Sequence, residues 1–317
     1  MNKLNKTNNV LSVLFSILFL FGIYKIVSDF NLIAENISKV SFSILFLSTF
    51  VYFSSVILRY IRWKIIYKNQ FKSQKFNMLN ETIIGYMANN LLPFRLGEIY
   101  RVNRIVKSEQ NSFIRVLSTI FTERFFDVIA LLFILILAFP FIDKFDLKVF
   151  QVQNTFLFLL LGVSLFIIFI LLLKRIRIFE NVLMKVLNLF QDLLSFFYEC
   201  KSYQKYLSII SISLLIWIVE SIVYFIVADF FITDISNIYL FSIILIVCSI
   251  TNLSGVIPSL PGNIGNFEFF GTLAFIAMNI SSSTGATVII IVHLVLFIPI
   301  SILGFIILSI EKIPLKK

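Results

Sequence analysis

Long apolar stretches dominate this sequence. A helix crosses the roughly 30 Å hydrocarbon core of a bilayer with about 20 apolar residues. Eight windows meet or approach that length, and they lie at 10–27, 41–58, 112–141, 155–173, 206–231, 238–257, 264–281 and 284–310. The 317 residues are 59% hydrophobic and only 14% charged, with a mean hydropathy of +0.97. A soluble domain of this size cannot hide so much apolar surface. The sequence therefore predicts an all-α polytopic membrane protein with about eight transmembrane helices.

Basic residues cluster in alternate connections between these predicted spans. They run from Arg59 to Lys75 after the second span and from Lys174 to Lys185 after the fourth, and they flank both ends of the chain. The positive-inside rule then makes both termini cytoplasmic. The parity works only if 76–109 enters and leaves on one side, so 76–92 is predicted to be a re-entrant half-helix that ends at Pro93. The net charge of +10 is explained by the basic connections that set the orientation of the chain in the membrane, and nucleic acid is not an expected partner.

The chain divides into two similar halves of one membrane domain, 1–317. Apolar residues recur at helical spacing over 178–200, which predicts an amphipathic helix in the cytoplasmic interface. This helix joins the halves, about 1–175 and 205–317. Each half carries one Pro-x-x-x-Gly break, which suggests an internal duplication, parallel or inverted.

The two breaks, Leu92–Glu98 and Leu260–Glu268, share nearly the same pattern. In each, Leu-Pro is followed by a glycine four residues after the proline and then by a carboxylate. Proline removes a backbone donor, and open backbone facing lipid costs several kcal/mol per group. We therefore expect both breaks to line a protein-walled cavity. Paired breaks in the two halves of a membrane protein are typical of a transporter's binding site.

Charged residues follow the first break. A helix that begins after Gly97 places Glu98, Arg101 and Arg104 on one face, with Glu98 able to pair with Arg101. Arginine offers a planar fork of donors that matches phosphate oxygens, so Arg95 and this face are candidates for binding a phosphate. The alternative is a solvated cytoplasmic loop.

A second charged cluster lies inside the window 112–141. Glu123 and Asp127 are four residues apart, so a helix presents both carboxylates on one side, with Arg124 or Arg115 to neutralise them. Ionisable groups within a membrane are functional hypotheses by default. A structural ion pair is the alternative. Glu220 is the most isolated carboxylate in an apolar span.

Polar residues also surround the second break, where they either cap helix ends or face a bound anion. His293 stands alone in an apolar helix, and a packed or interhelically hydrogen-bonded histidine is a better interpretation of it than a proton relay. The predicted lipid- and phosphate-binding residues are Asn90, Pro93, Arg95, Gly97, Glu98, Arg101, Arg104, Glu123, Arg124, Asp127, Asn252, Pro261, Gly262, Gly265 and Glu268.

Signatures of common enzymes are missing from the sequence. It has no nucleotide-binding Gly-rich loop, no His-Glu-x-x-His and no Gly-x-Ser-x-Gly. Cys200 and Cys248 lack the spacing of metal ligands. No catalytic residue, cofactor or metal site is therefore predicted.

Four motifs in order resemble one known family. They are Arg62-Trp63-Lys64, the run Asn90–Glu98 followed by Arg101, the run Glu123–Asp127, and the run Ile257–Glu268. This set is similar to the transmembrane region of lysylphosphatidylglycerol synthases, a flippase-like domain found alone or beside glycosyltransferases in bacteria and archaea. In full-length synthases a soluble aminoacyl-transfer domain follows it. The present sequence ends at Lys317 without that domain, so lysyl transfer is not expected.

The resemblance and the two breaks together imply a role in lipid handling. We expect a translocase or headgroup-binding protein for an anionic, aminoacylated or glycosylated lipid, in the plasma membrane of a prokaryote. The alternatives are a membrane enzyme or enzyme subunit that uses Glu123 or Asp127 as a base on a lipid-phosphate-linked substrate, and an anchor for a separate glycosyltransferase. Expected partners are a membrane phospholipid or lipid-linked sugar, and a separate glycosyltransferase or aminoacyl-transferase.

Overall fold

The computed structural model describes residues 16–141, except 73, and residues 191–311, except 193 and 258. Its regular elements in this part of the chain are all helical. In order they are α1 (Ser16–Ile26), α2 (Phe30–Lys39), α3 (Phe42–Gln70), α4 (Met78–Leu91), α5 (Leu96–Glu109), α6 (Phe113–Ala138), α7 (Ser195–Glu199), α8 (Tyr203–Phe231), α9 (Asn237–Leu253), α10 (Asn266–Ala277) and α11 (Ser282–Ile310). Short 3₁₀ turns follow α4 (Pro93–Arg95), α6 (Phe139–Phe141) and α9 (Ser254–Val256), and a further one covers Pro261–Asn263.

Five of the described helices are long and apolar enough to cross a membrane. They are α3, α6 with its 3₁₀ turn, α8, α9 with its 3₁₀ turn, and α11. The pair α1 and α2 would make a sixth span, but its two helices meet at 94°. All-α polytopic architecture is confirmed, whereas the count of eight spans is not. The window 155–173 and most of the predicted interfacial helix 178–200 lie outside the described residues. The window 264–281 contains only α10, whose 12 residues extend about 18 Å.

The first break is the tip of a helical hairpin. Asn77 caps α4 by accepting hydrogen bonds from the N–H groups of Leu79 and Asn80. α4 ends after 14 residues, Pro93 begins a 3₁₀ turn, and α5 returns against α4. Gly97 allows this tight return, because a Cβ there would overlap the backbone nitrogen of Asn89.

This first hairpin lies along half of α11 and enters from its C-terminal end. Near the open end of the hairpin, Asn80 and Arg104 both bond Glu311, just beyond α11, at 2.6 and 2.7 Å. Near its tip, Asn90 donates to the carbonyl of Phe297 at 3.1 Å, about the middle of α11. The hairpin therefore reverses halfway along a helix of 29 residues. This geometry agrees with the predicted re-entrant segment.

The second break is the tip of an opposed hairpin, formed by α9 and α10. α10 begins where Glu268 accepts a hydrogen bond from the N–H of Gly265 at 2.7 Å. It then runs beside the other half of α11, with Gly271 against Ile289 and Phe275 against Gly285. The two tips thus meet near the middle of α11, having approached from opposite ends. This arrangement places both breaks next to one another in space.

Antiparallel packing of α3 and α8 closes the other side of the molecule. Contacts pair Lys205 with Asn69 near one end and Arg59 with Glu220 near the centre. Apolar side chains of α6, α8, α9, α10 and α11 form the largest hydrophobic cluster. Charged groups occupy the centre of the helix bundle.

Candidate functional site

A cavity of about 540 Å³ lies where the two hairpin tips meet. The first tip contributes Asn89, Asn90, Leu92 and Arg95, and the second contributes Gly255, Ser259, Leu260, Gly262 and Asn263. Helices α3, α6, α8 and α11 complete the wall with Tyr52, Arg59, Arg124, Asp127, Trp217, Glu220, His293 and Phe297. Both breaks therefore line one cavity near the middle of the long helices.

Arg95 connects the two tips. It ends the first 3₁₀ turn in the left-handed region, at φ 53°, a conformation that side chains other than glycine rarely adopt. Its guanidinium extends to the second tip, where a Cβ on Gly255 would overlap Nη2 of Arg95. The absence of a side chain at Gly255 is thus what lets the guanidinium lie there.

Arg95 also differs from the other described arginines in its ionic contacts. The structure describes seven arginines. Six of them have a carboxylate within 4.0 Å, and Arg95 has none among the described residues. A bound anion would supply the missing countercharge, so this position is suited to a phosphate.

Arg124 faces the cavity beside Arg95 but is neutralised. Its guanidinium pairs with Glu98 at 2.7 Å and with Asp127 at 3.0 Å, and it donates to the hydroxyl of Tyr86 at 3.3 Å. The expectation that Glu98 pairs with Arg101 on one helix face is therefore wrong. Glu98 points across to α6, because the close packing of α5 against α4 brings α6 within reach of the Glu98 side chain.

Glu220 is paired rather than isolated. Nη1 and Nη2 of Arg59 donate to one oxygen of Glu220 at 2.9 and 2.7 Å, and both residues line the cavity. The Arg59 guanidinium lies 4.8 Å from the ring centroid of Trp217. This pair forms a neutral part of the wall, opposite the tips.

Asp127 and Glu123 occupy different environments although they share a helix face. Asp127 lines the cavity and accepts hydrogen bonds from Arg62 at 2.7 Å and from the Trp217 indole at 3.0 Å. Glu123 lies behind that wall, 3.2 Å from Arg101 and 3.8 Å from Arg62. The predicted cluster is therefore mainly an ion-pair network that supports the cavity.

Arg101 and Arg104 lie outside the cavity. The guanidinium of Arg101 stacks on the ring of Trp63, 3.4 Å from its centroid. Arg104 joins Glu81 to Glu311 at the open end of the first hairpin. Burial by itself would lower the pKa of Arg104, but its hydrogen bonds to Glu81 more than offset this and raise it. These two arginines hold the hairpin in place.

A histidine holds the second break. Nδ1 of His293 contacts Glu268, and Nε2 lies 2.8 Å from the carbonyl oxygen of Gly262. Glu268 itself caps α10, so it lies behind the wall. Of the other predicted residues here, Asn252 lines the cavity and donates to the Tyr224 hydroxyl at 3.1 Å, whereas Pro261 and Gly265 shape the turn.

Several cavity residues were not predicted from the sequence. They are Tyr52, Arg59, Tyr86, Trp217, Gly255 and Phe297. A signal existed for Arg59, since it and Glu220 are opposite charges in two apolar spans, which favours pairing between them. Gly255 had no such signal, because its role depends on the reach of Arg95.

Apolar side chains form an exposed rim beside the tips. Leu92, Ile99 and Val256 line the cavity and are 36%, 41% and 73% exposed. In a bilayer such a rim contacts acyl chains. The cavity thus combines a polar interior with exposed apolar side chains at its edge.

Fold and site together define a polytopic helical membrane protein with a polar cavity between two opposed, broken helical hairpins. The family model of the lysylphosphatidylglycerol synthase transmembrane region matches residues 9–304. The chain belongs to this family, which indicates a role connected with membrane lipids. None of the curated proteins compared with the chain matches it.

Proposed function

We propose that this protein translocates phospholipid headgroups across the bilayer without covalent chemistry. One observation carries the proposal: Arg95 has no ionic partner among the described residues, and its guanidinium lies inside a cavity that both hairpin tips line. A phosphate held there would have the charge and the hydrogen-bond geometry that arginine prefers. Polar wall groups would replace the headgroup's water during its passage.

The apolar rim supports a lipid rather than a soluble ligand. Leu92, Ile99 and Val256 are exposed next to the polar interior. A headgroup bound at Arg95 would leave its acyl chains against these side chains and in the bilayer. A lipid ligand therefore accounts for the exposed apolar side chains beside a charged cavity.

Orientation follows from the distribution of charge. The open end of the first hairpin carries Lys72, Lys75 and Lys107, whereas the α1–α2 and α8–α9 connections carry Asp29 and Asp234. By the positive-inside rule we place the first end in the cytoplasm of a prokaryotic cell, with the protein in the plasma membrane. A separate glycosyltransferase or aminoacyl-transferase partner stays a prediction of the family resemblance.

The contacts of the carboxylates disfavour the enzymatic alternative. A general base must be within reach of its substrate and free to accept a proton. Glu123 lies behind the wall, and Asp127 already accepts from Arg62, Trp217 and Arg124. Neither group is placed as a base toward the cavity.

The test is lipid movement in vesicles that contain only the purified protein. Fluorescent phosphatidylglycerol in the inner leaflet should become accessible to a membrane-impermeant quencher faster than in protein-free vesicles. Mass spectrometry of the extracted lipids should detect no new species. Glu123→Gln and Asp127→Asn serve as comparison variants, since an enzyme that used either base would lose its products with them.

Two results would contradict the proposal. One is a rate of lipid movement equal to that of protein-free vesicles. The other is a new lipid species made by the wild type and lost in either amide variant, which would instead establish a membrane enzyme.

A further inference from the structure

One charged group in the cavity wall lacks an ionic partner. The arginines and carboxylates that line the cavity are Arg59, Arg95, Arg124, Glu98, Asp127 and Glu220. Arg59 pairs with Glu220, and Arg124 pairs with Glu98 and Asp127. Arg95 has no carboxylate within 4.0 Å among the described residues. The cavity therefore offers one unpaired positive charge to a ligand.

Each carboxylate in the wall is already occupied. Glu98 pairs with Arg124, Asp127 pairs with Arg62 and Arg124, and Glu220 pairs with Arg59. A cationic headgroup would have to break one of these ion pairs, and removing one partner of a buried pair is strongly destabilising. None of the described carboxylates in the wall remains free for an ammonium group.

Neutral polar groups line the rest of the wall. The side-chain nitrogen of Asn90 is used by Phe297 and Ser301, and that of Asn252 by Tyr224 and Cys248. Both side-chain oxygens accept no hydrogen bond from the described residues. Such oxygens suit hydroxyl donors, which bring no charge with them.

We propose that the cavity selects phospholipids with one phosphate and an uncharged, hydroxylated headgroup, and that it discriminates against cationic, aminoacylated phospholipids. This inference rests on the proposed function, because it assigns the lipid class for the same site. The phosphate binds Arg95, and the hydroxyl groups face the amide oxygens of Asn90 and Asn252.

A competition between two lipids with the same phosphate and acyl chains tests the proposal. Purified full-length protein is equilibrated with phosphatidylglycerol and lysyl-phosphatidylglycerol in equal amounts, and bound lipid is counted by native mass spectrometry. We expect phosphatidylglycerol to be bound about tenfold better or more, a difference of at least one ionic contact. Equal binding, or preferential binding of the lysyl lipid, would overturn the proposal.

Variants check that the selectivity comes from Arg95. Arg95→Gln removes the unpaired positive charge, which would repel the lysyl ammonium groups, so the preference for phosphatidylglycerol should fall to about twofold or less, well below one ionic contact. Arg115→Gln is the matched control, because Arg115 pairs with Glu199 on the surface, and it should keep the wild-type preference. An unchanged preference in Arg95→Gln would overturn the assignment.

Two further arms separate this proposal from others. Glycerol phosphate, the soluble form of the same headgroup, should not displace bound phosphatidylglycerol, and efficient displacement would overturn the choice of a lipid. Binding of no phospholipid at all would contradict the proposed function itself, whereas binding of the lysyl lipid in preference would leave that function intact and overturn only the lipid class.

Discussion

Arg95 is the residue on which the account of this protein depends. Its backbone has a positive φ, its guanidinium reaches the second tip at Gly255, and no described carboxylate pairs with it. Left-handed backbone at a residue other than glycine stores roughly 1–3 kcal/mol of strain, which surrounding structure must offset. The fold thus holds a charged group in a costly position without an ionic partner among the described residues, as expected of a residue that binds a ligand.

The paired donors of the Arg95 guanidinium can be tested separately from its positive charge. Arg95→Lys keeps the charge but loses the paired donors, so we expect lipid binding to fall about tenfold, nearly as far as in Arg95→Ala. Gly255→Ala should weaken binding as well, because the added Cβ displaces the guanidinium while its charge remains. Bound lipid per protein, measured by native mass spectrometry, gives the result.

Arg115→Lys is the control for these variants, because Arg115 is 46% exposed at its side chain and far from the cavity. It should bind lipid as the wild type does. If Arg95→Lys binds lipid as well as the wild type does, the positive charge alone accounts for binding and the paired donors of arginine are not required.

The elements show which features a sequence pattern can reveal. Prolines and glycines in apolar segments predicted both helical breaks, since proline and open backbone leave few structures possible in lipid. The partners of each charge were not predictable in the same way. Glu98 lies one turn from Arg101 along α5, yet it pairs with Arg124 of α6 at 2.7 Å. Pairing between helices depends on packing distances that local spacing does not contain.

The tight turn of the first hairpin depends on Gly97. A Cβ at this position overlaps the backbone of Asn89, which cannot move without opening the α4–α5 contact. Gly97→Ala should therefore destabilise the protein by about 1–3 kcal/mol, the usual cost of overpacking. Thermal unfolding in detergent measures it. The neighbouring Leu96→Ala is the control, since Leu96 is 39% exposed. If Leu96→Ala lost as much stability as Gly97→Ala, the turn would tolerate no substitution and the effect would not be specific to Gly97.

The proposed orientation places both ends of the first hairpin on one side of the membrane. Single cysteines at Lys72 and Lys107, both exposed, should react with an impermeant thiol reagent only from the cytoplasmic side. A cysteine at Asp234 should react only from the other side, because the 29 residues of α8 extend about 43 Å between the two ends.

The background for this labelling is a chain in which Cys200 and Cys248, both buried, are replaced by alanine. Labelling of Lys72 and Lys107 from opposite sides would make the segment a true span.

At the scale of the whole molecule, two opposed hairpins meet near the middle of α11. The sequence was sufficient to predict a helical membrane protein, its two breaks and the family, because hydropathy and proline are strong local signals. It was not sufficient to predict that Arg101, Arg104 and Glu123 lie behind the wall while Arg59, Trp217 and Glu220 form it. Those placements follow from how α3 and α8 pack across the cavity, at a sequence separation of about 160 residues between Arg59 and Glu220.

The central claim is that a phospholipid phosphate occupies the cavity between the tips. An experimental structure of the protein in nanodiscs that contain phosphatidylglycerol tests it most directly. We expect the phosphate within about 3 Å of the Arg95 guanidinium, with the acyl chains beside Leu92 and Val256. A lipid phosphate bound only at the basic cytoplasmic surface near Lys107, with the cavity free of lipid, would contradict the account.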